Sequence, residues 1–496
     1  MNTVHDEAIT RARAAYQRRQ FSECDAALRS ALIASPDSLE AHAMFGILLS
    51  EQGVLVPGAW HLRRVLSSGD RHPQLLATLG HNLLRQGAID EAEALLREAN
   101  SAMPDALLPL AHHAATLERL DRLDEARVVL DHVKAVAART GQEVMVQDAM
   151  LIARTPAWRD ALAMLDAAST LDGNAMLIRG RLRDRAERYD EAWQDFLTGK
   201  SRLASETGLS YRRDDVQAHI AKLARFFTAE RFASLPRAET RTDVPQPIFI
   251  LGFPRSGTTM AEQLIISHPD IRPGDELPFT GELVEFAAMQ TGSFPDGLAG
   301  LVAADRHHIV TLFRDFYLAR AETYGLLAPG ADWFTDKMPL NDIYLPLLRL
   351  AFPASKIVSV RRHPLDILVS VMSHSLTHGF NCGFDIDDAA HHLAAASSLM
   401  AQWEVIGIET HHFVYERFVA DQTGETTALM AHLGLEPDPA QAQFHESKRF
   451  APTPSYAQVR EPIYDRSIER WRNYSRHLAP IIKAMKPTMA RDGYTA

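Results

Sequence analysis

The chain has 496 residues, too many for one ordinary core, and its 46% hydrophobic and 23% charged content fits folded domains rather than wholesale disorder. With 52 Lys+Arg against 63 Asp+Glu the net charge is −11, which repels a nucleic-acid backbone, so any phosphate site has to be a local basic pocket. Two cysteines far apart, Cys24 and Cys382, exclude a disulfide framework or a thiolate metal site, and the polar start and the lack of any run of ~18 apolar residues point to a cytoplasmic protein without a membrane span.

Small residues recur at a spacing of 34 through the first third of the chain. Ala12, Gly46, Gly80 and Ala114 form one series, Cys24, Gly58, Ala92 and Ala126 a second, and Leu28, Leu62, Leu96 and Leu130 a third. Paired helices need small residues where they cross closely and leucine where they bury a stripe, so this period predicts stacked helical hairpins, with Pro36 and Pro104 marking unit ends. Gly180 and Ala192 keep the twelve-residue spacing, while the stretch around Ala161 is off-phase. The pattern resembles the tetratricopeptide repeat over residues 5 to 205. Such a repeat implies a surface that docks a partner or acceptor, or else a spacer or homodimer arm. A linker is expected over 206–244, ending at the Pro245 to Pro247 punctuation.

From Pro247 the run "PIFILGFPRSGTTMAEQLIISHP" reads as a buried strand (248–251), a glycine-bounded turn and a helix beginning near Gly257. That order builds an anion site, because amides at a helix N-terminus point into the turn. Gly252 and Gly257 have P-loop spacing, but Thr258 stands where a kinase or ATPase loop carries lysine. The loop therefore suits a terminal phosphate held by amides, by the hydroxyls of Ser256, Thr258 and Thr259, and by the Arg255 guanidinium. Further on, "ASKIVSVRRHPLDILVSVMSH" reads as a strand (357–360) leading into a helix that starts at Pro364.

At PRSGTT the sequence resembles the sulfotransferase superfamily, and over residues 245–496 it is similar to tyrosylprotein sulfotransferases and to bacterial tetratricopeptide-linked sulfotransferases. The resemblance implies 3'-phosphoadenosine-5'-phosphosulfate (PAPS) as sulfuryl donor, with 3',5'-bisphosphoadenosine as product. It implies Glu276, 21 residues after Arg255, as the base that deprotonates the acceptor hydroxyl, with Asp275 as fallback. It implies Lys337, in "FTDKMPLN", as the cation that neutralises the leaving bridge. Arg362 and Ser370, eight residues apart, match the family's 3'-phosphate pair, with Arg361 as the alternative if the register slips by one. Tyr415 resembles a strand-end tyrosine of the nucleotide pocket, and Ser455, Gln458 and Arg460 fall where the family has a loop covering the nucleotide.

The expected architecture is an α-helical tetratricopeptide-like superhelix (1–205), a linker (206–244) and a P-loop-like α/β domain with a central parallel sheet (245–496). No metal is implied, since the pairs His307-His308, His391-His392 and His411-His412 cannot present both rings on one helix face. The acceptor is a hydroxyl, of which a tyrosine in a peptide held by the array is one form; glycan, lipid and small phenolic acceptors use the same donor machinery. Three rival readings stay open: a P-loop kinase or ATPase, a repeat scaffold whose α/β domain senses a nucleotide, and a purely structural interaction protein.

Overall fold

The computed structural model describes residues 3–141, 144–376, 380–446 and 463–495. Two compact units result, Met1–Ala168 and Ser169–Ala496. Among the described residues no helix is long and apolar enough to cross a membrane.

The first unit is a series of helical hairpins: Thr3–Gln17 with Phe21–Ala34, Leu39–Glu51 with Leu55–Ser67, Pro73–Gln86 with Ile89–Ala102, Leu107–Arg119 with Leu123–Thr140, and the shorter pair Met145–Ala153 and Trp158–Ala167. The 34-residue series meet one another inside each hairpin. A methyl group added at Gly46 would lie 2.6 Å from Leu62 Cγ, and one at Gly80 would lie 2.7 Å from Leu96 Cγ, so the first helix can approach the second only where it lacks a side chain. A second periodic device ties one hairpin to the next. Arg85 donates to the Ser50 carbonyl at 3.0 Å, Arg119 to Leu84 at 3.3 Å and Arg154 to Glu118 at 2.5 Å. Each arginine thus adds a donor to a carbonyl in the last turn of the preceding hairpin's first helix, which also accepts from the amide three residues on, that of Gly53, Gly87 or Asp121.

The second unit begins with one more hairpin, Gly173–Arg185 and Tyr189–Thr207. Where the repeats were expected to run on as one body to residue 205, this last hairpin packs with the sheet that follows. Trp193 and Phe196 join Leu365, Leu368, Tyr474 and Ile481 in a single apolar cluster. The stretch expected as a linker, 206–244, holds the helices Arg213–Phe226 and Ala229–Ser234 and buries Phe226, Phe227 and Phe232 in the core of the same unit. Aromatic burial of this size outweighs the entropy of leaving the segment extended.

Among the described residues the sheet has five parallel strands: β1 (Gln246–Leu251), β2 (Ile271–Arg272), β3 (Trp333–Lys337), β4 (Lys356–Arg361) and β5 (His411–Val414). Their spatial order is β2-β3-β1-β4-β5. Central β1 buries five of its six residues, as a strand covered on both faces requires. The chain leaves β1 toward one edge, through β2 and β3, and then crosses to the other, through β4 and β5. The carboxyl end of β1 is therefore a topological switch point, where open α/β sheets leave a crevice for ligands.

Candidate active site

The turn after β1 delivers Gly252 to Gly257, and the helix Thr258–Ile266 follows with Gly257 as its N-cap at φ 108°. That backbone conformation excludes an ordinary side chain. A methyl group at Gly257 would also lie 3.0 Å from the Tyr415 ring. Arg255 is held in the left-handed region at φ 74°, a strain that ordinary turns avoid. Its N-cap, a glycine, offers no capping side chain, and the first turn of the helix turns its positive dipole end toward the loop. Ser256 Oγ is buried with no hydrogen-bond partner among the described residues. A buried hydroxyl without a partner costs stability unless a ligand supplies one, so the loop fits a phosphate group.

Around this loop the expected nucleotide-binding residues form one network. Arg255 Nε donates to Ser370 Oγ at 2.9 Å, and Arg362 Nη1 donates to the Arg255 carbonyl at 3.1 Å. The Arg362 guanidinium lies 4.7 Å from the centroid of the Tyr415 ring. Arg362 Nε has no partner among the described residues. Arg361, the alternative, points elsewhere and pairs with Glu404 at 2.8 Å. The residues come together because β4 ends at Arg361, Pro364 starts the next helix and Ser370 sits on it, while Tyr415 follows β5, whose Val414 registers with Arg361. Burial and the neighbouring Arg362 push Arg255 down to about 9, which leaves it a cation at neutral pH. Thr258 and Thr259 lie buried in the first turn of the helix.

Glu276 and Lys337 meet as an ion pair of 2.6 Å, with the Lys337 side chain wholly buried and that of Glu276 18% exposed. Register sets their place: Lys337 ends β3 opposite Ile250 of β1, two residues before the loop begins. The turn that carries Glu276 is pinned to β3. Lys337 N donates to the Asp275 carbonyl at 2.9 Å, and Gly274 N donates to Thr335 Oγ1 at 2.9 Å. Glu262, fully buried, accepts from Thr335 Oγ1 at 2.8 Å and from Asp275 N at 3.1 Å. A methyl group at Gly274 would sit 1.9 Å from the Thr335 carbonyl oxygen, so only glycine allows this approach. Asp275 takes φ 61° and turns the chain so that Glu276 presents its side chain to Lys337.

Ser455, Gln458 and Arg460 lie outside the described residues. Sequence reasoning missed Glu262, which looks like any helical acid until β3 comes beside it. It also missed His374, whose Nε2 lies 3.4 Å from Arg255 Nη2 and whose Nδ1 lies 2.9 Å from the Ser370 carbonyl. Four residues beyond Ser370, its spacing could have flagged it.

Residues 247–439 match the model of the sulfotransferase family. An Aquifex aeolicus protein of uncharacterized function is 25% identical over 80% of this chain and 52% of its own length. A Caenorhabditis briggsae protein described provisionally as a protein-tyrosine sulfotransferase is 30% identical over 27% of this chain and 46% of its own. The chain thus spans about half the length of the curated relatives it matches. Among solved structures, the sulfotransferase domain of the Synechococcus PCC 7002 olefin synthase is 20% identical, covering 48% of this chain and 90% of that one, with a TM-score of 0.35. Residues 247–439 form a sulfotransferase-family domain, in a chain whose N-terminal part is built of helical repeats.

Proposed function

We propose that the chain is a PAPS-dependent sulfotransferase that sulfates a hydroxyl, with a tyrosine in a protein or peptide as the acceptor. The observation that carries the reading is the ion pair of the part-exposed Glu276 with the buried Lys337, which ends the strand beside the one that leads into the phosphate loop. A P-loop alone asks for no carboxylate at that point. The donor supplies the sulfuryl group; the chain supplies the rest. Glu276 accepts the acceptor's proton as its oxygen attacks sulfur, and the bond from sulfur to the bridging oxygen breaks. Lys337 and the amides and hydroxyls at Ser256, Thr258 and Thr259 balance the charge left on the departing phosphate. Arg255, Arg362 and Ser370 hold the donor's phosphates, and Tyr415 borders the nucleotide. The peptide acceptor is supported by the sequence resemblance and by the name of the Caenorhabditis briggsae relative, and the repeats offer a surface for such a chain. Two buried free cysteines, Cys24 and Cys382, agree with a reducing, cytoplasmic setting.

Calorimetric titration of the full chain with 3',5'-bisphosphoadenosine tests the assignment. Binding that needs no magnesium is expected, and Glu276→Ala should keep that binding while abolishing transfer. Magnesium-dependent turnover of adenosine triphosphate would instead support a kinase or ATPase, and bisphosphate binding without any transfer would leave a nucleotide-sensing scaffold.

A further inference from the structure

The helical hairpin Gly173–Thr207 lies outside the family match, yet it sends two cations to the phosphate loop's neighbours. Arg181 donates to the Ser373 carbonyl at 2.9 Å, and Lys200 donates to the His374 carbonyl at 2.6 Å. Both carbonyls end the helix that carries Ser370, where backbone acceptors lack intrahelical donors. Lys200 is only 1% exposed, and no carboxylate pairs with it among the described residues. Burying an ammonium without a counterion is costly, and here the neighbouring charges are positive. Burial, with smaller contributions from Arg255 and Arg181, pushes Lys200 down to about 7. Arg181 likewise opposes charge on Arg255 and on His374. Arg181, Lys200, Arg255 and Arg362 oppose one another's charge, and an anion bound among them would ease that repulsion.

We propose that this hairpin completes the donor site: Arg181 and Lys200 are positioning residues that fix the Ser370–His374 end of the helix and add the positive charge that selects a donor carrying a 3'-phosphate. The inference rests on the donor reading above and adds residues that the family match does not include. It also explains why the last hairpin packs with the sheet unit. Asp184 of the hairpin pairs with Arg470 at 3.1 Å, anchoring the same hairpin to the segment beyond residue 463.

The test titrates the full chain and its variants with 3',5'-bisphosphoadenosine and with adenosine 5'-phosphate. In the unaltered protein the bisphosphate binds more tightly. Lys200→Met should lose at least tenfold of that preference, entirely through the bisphosphate, while its ligand-free Tm stays level or rises because a buried charge has gone. Arg181→Met should lose preference in the same way, and Arg181→Lys should recover part of it. Equal weakening of both nucleotides, no change in preference, or a sharp fall in Tm for Lys200→Met would overturn the inference. If the unaltered chain binds neither nucleotide, it is the donor reading that fails. If it prefers the bisphosphate and the variants do too, the donor reading stands and the hairpin's role falls.

Discussion

The repeat unit and the sheet unit hold their chains together by opposite means. In the repeats one contact is made several times over: glycine against leucine within a hairpin, and arginine to a terminal carbonyl between hairpins. In the sheet unit each functional contact occurs once and depends on register. Glu276 reaches Lys337 because Gly274, Asp275, Thr335 and Glu262 fix a single turn against β3. Redundant contacts share a loss among neighbours, whereas unique ones do not. Substitutions in the two units should therefore differ in kind: the repeats lose stability by degrees, and the site loses chemistry at once.

The sharpest break is expected at Glu276. Glu276→Ala should lower transfer by about 10²–10⁴-fold, the usual worth of a positioned base, with unfolding temperature and bisphosphate affinity close to those of the parent. Initial rates beside a calorimetric titration check it. Lys337→Met comes next, with kcat down by about 10²–10³-fold and a weaker effect on KM, because its charge matters most as the bridge breaks. In the repeats, Gly80→Val should cost about 1–3 kcal/mol by forcing the hairpin apart against Leu96, read as an earlier thermal transition. Bisphosphate affinity of the folded protein should not change. Arg119→Ala should cost only about 0.5–1.5 kcal/mol, by removing one terminal hydrogen bond.

A further expected effect is on pH. His81 and His112 stack with ring centroids 3.7 Å apart, and burial lowers each from 6.5 to about 4. A histidine depressed in the folded state binds fewer protons there than in the unfolded chain. Its contribution is thus whole above pH 6.5 and lost as pH falls toward 4. Chemical denaturation of the chain between pH 7 and 4 should show this slope, and His81→Phe should flatten it.

What could be read from the sequence divides along the same line. The hairpins were legible because one period repeats, and the fit of Gly46 to Leu62 is the period seen in space. β1, β4 and the helix starting at Pro364 were legible from apolar runs bounded by glycine and proline, and each is found within one or two residues of its expected place. The residues of the loop and of the 3'-phosphate pair were candidates through local motifs, and Arg255, Arg362 and Ser370 do come together. Contacts across long separations left no local trace. The union of Glu276 with Lys337 depends on the parallel pairing of β1 with β3, and the packing of 206–244 depends on a core made by residues far along the chain. Lys200 reads as an ordinary helix lysine until 174 residues later the chain returns beside it.

One experiment bears on the central claim most directly. Full-length protein incubated with ³⁵S-labelled PAPS and a tyrosine-containing peptide library should release bisphosphoadenosine in step with label on a hydroxyl, and Glu276→Gln should do neither. Label transfer that persists undiminished in Glu276→Gln, or no transfer from the parent to any hydroxyl acceptor, would contradict the account.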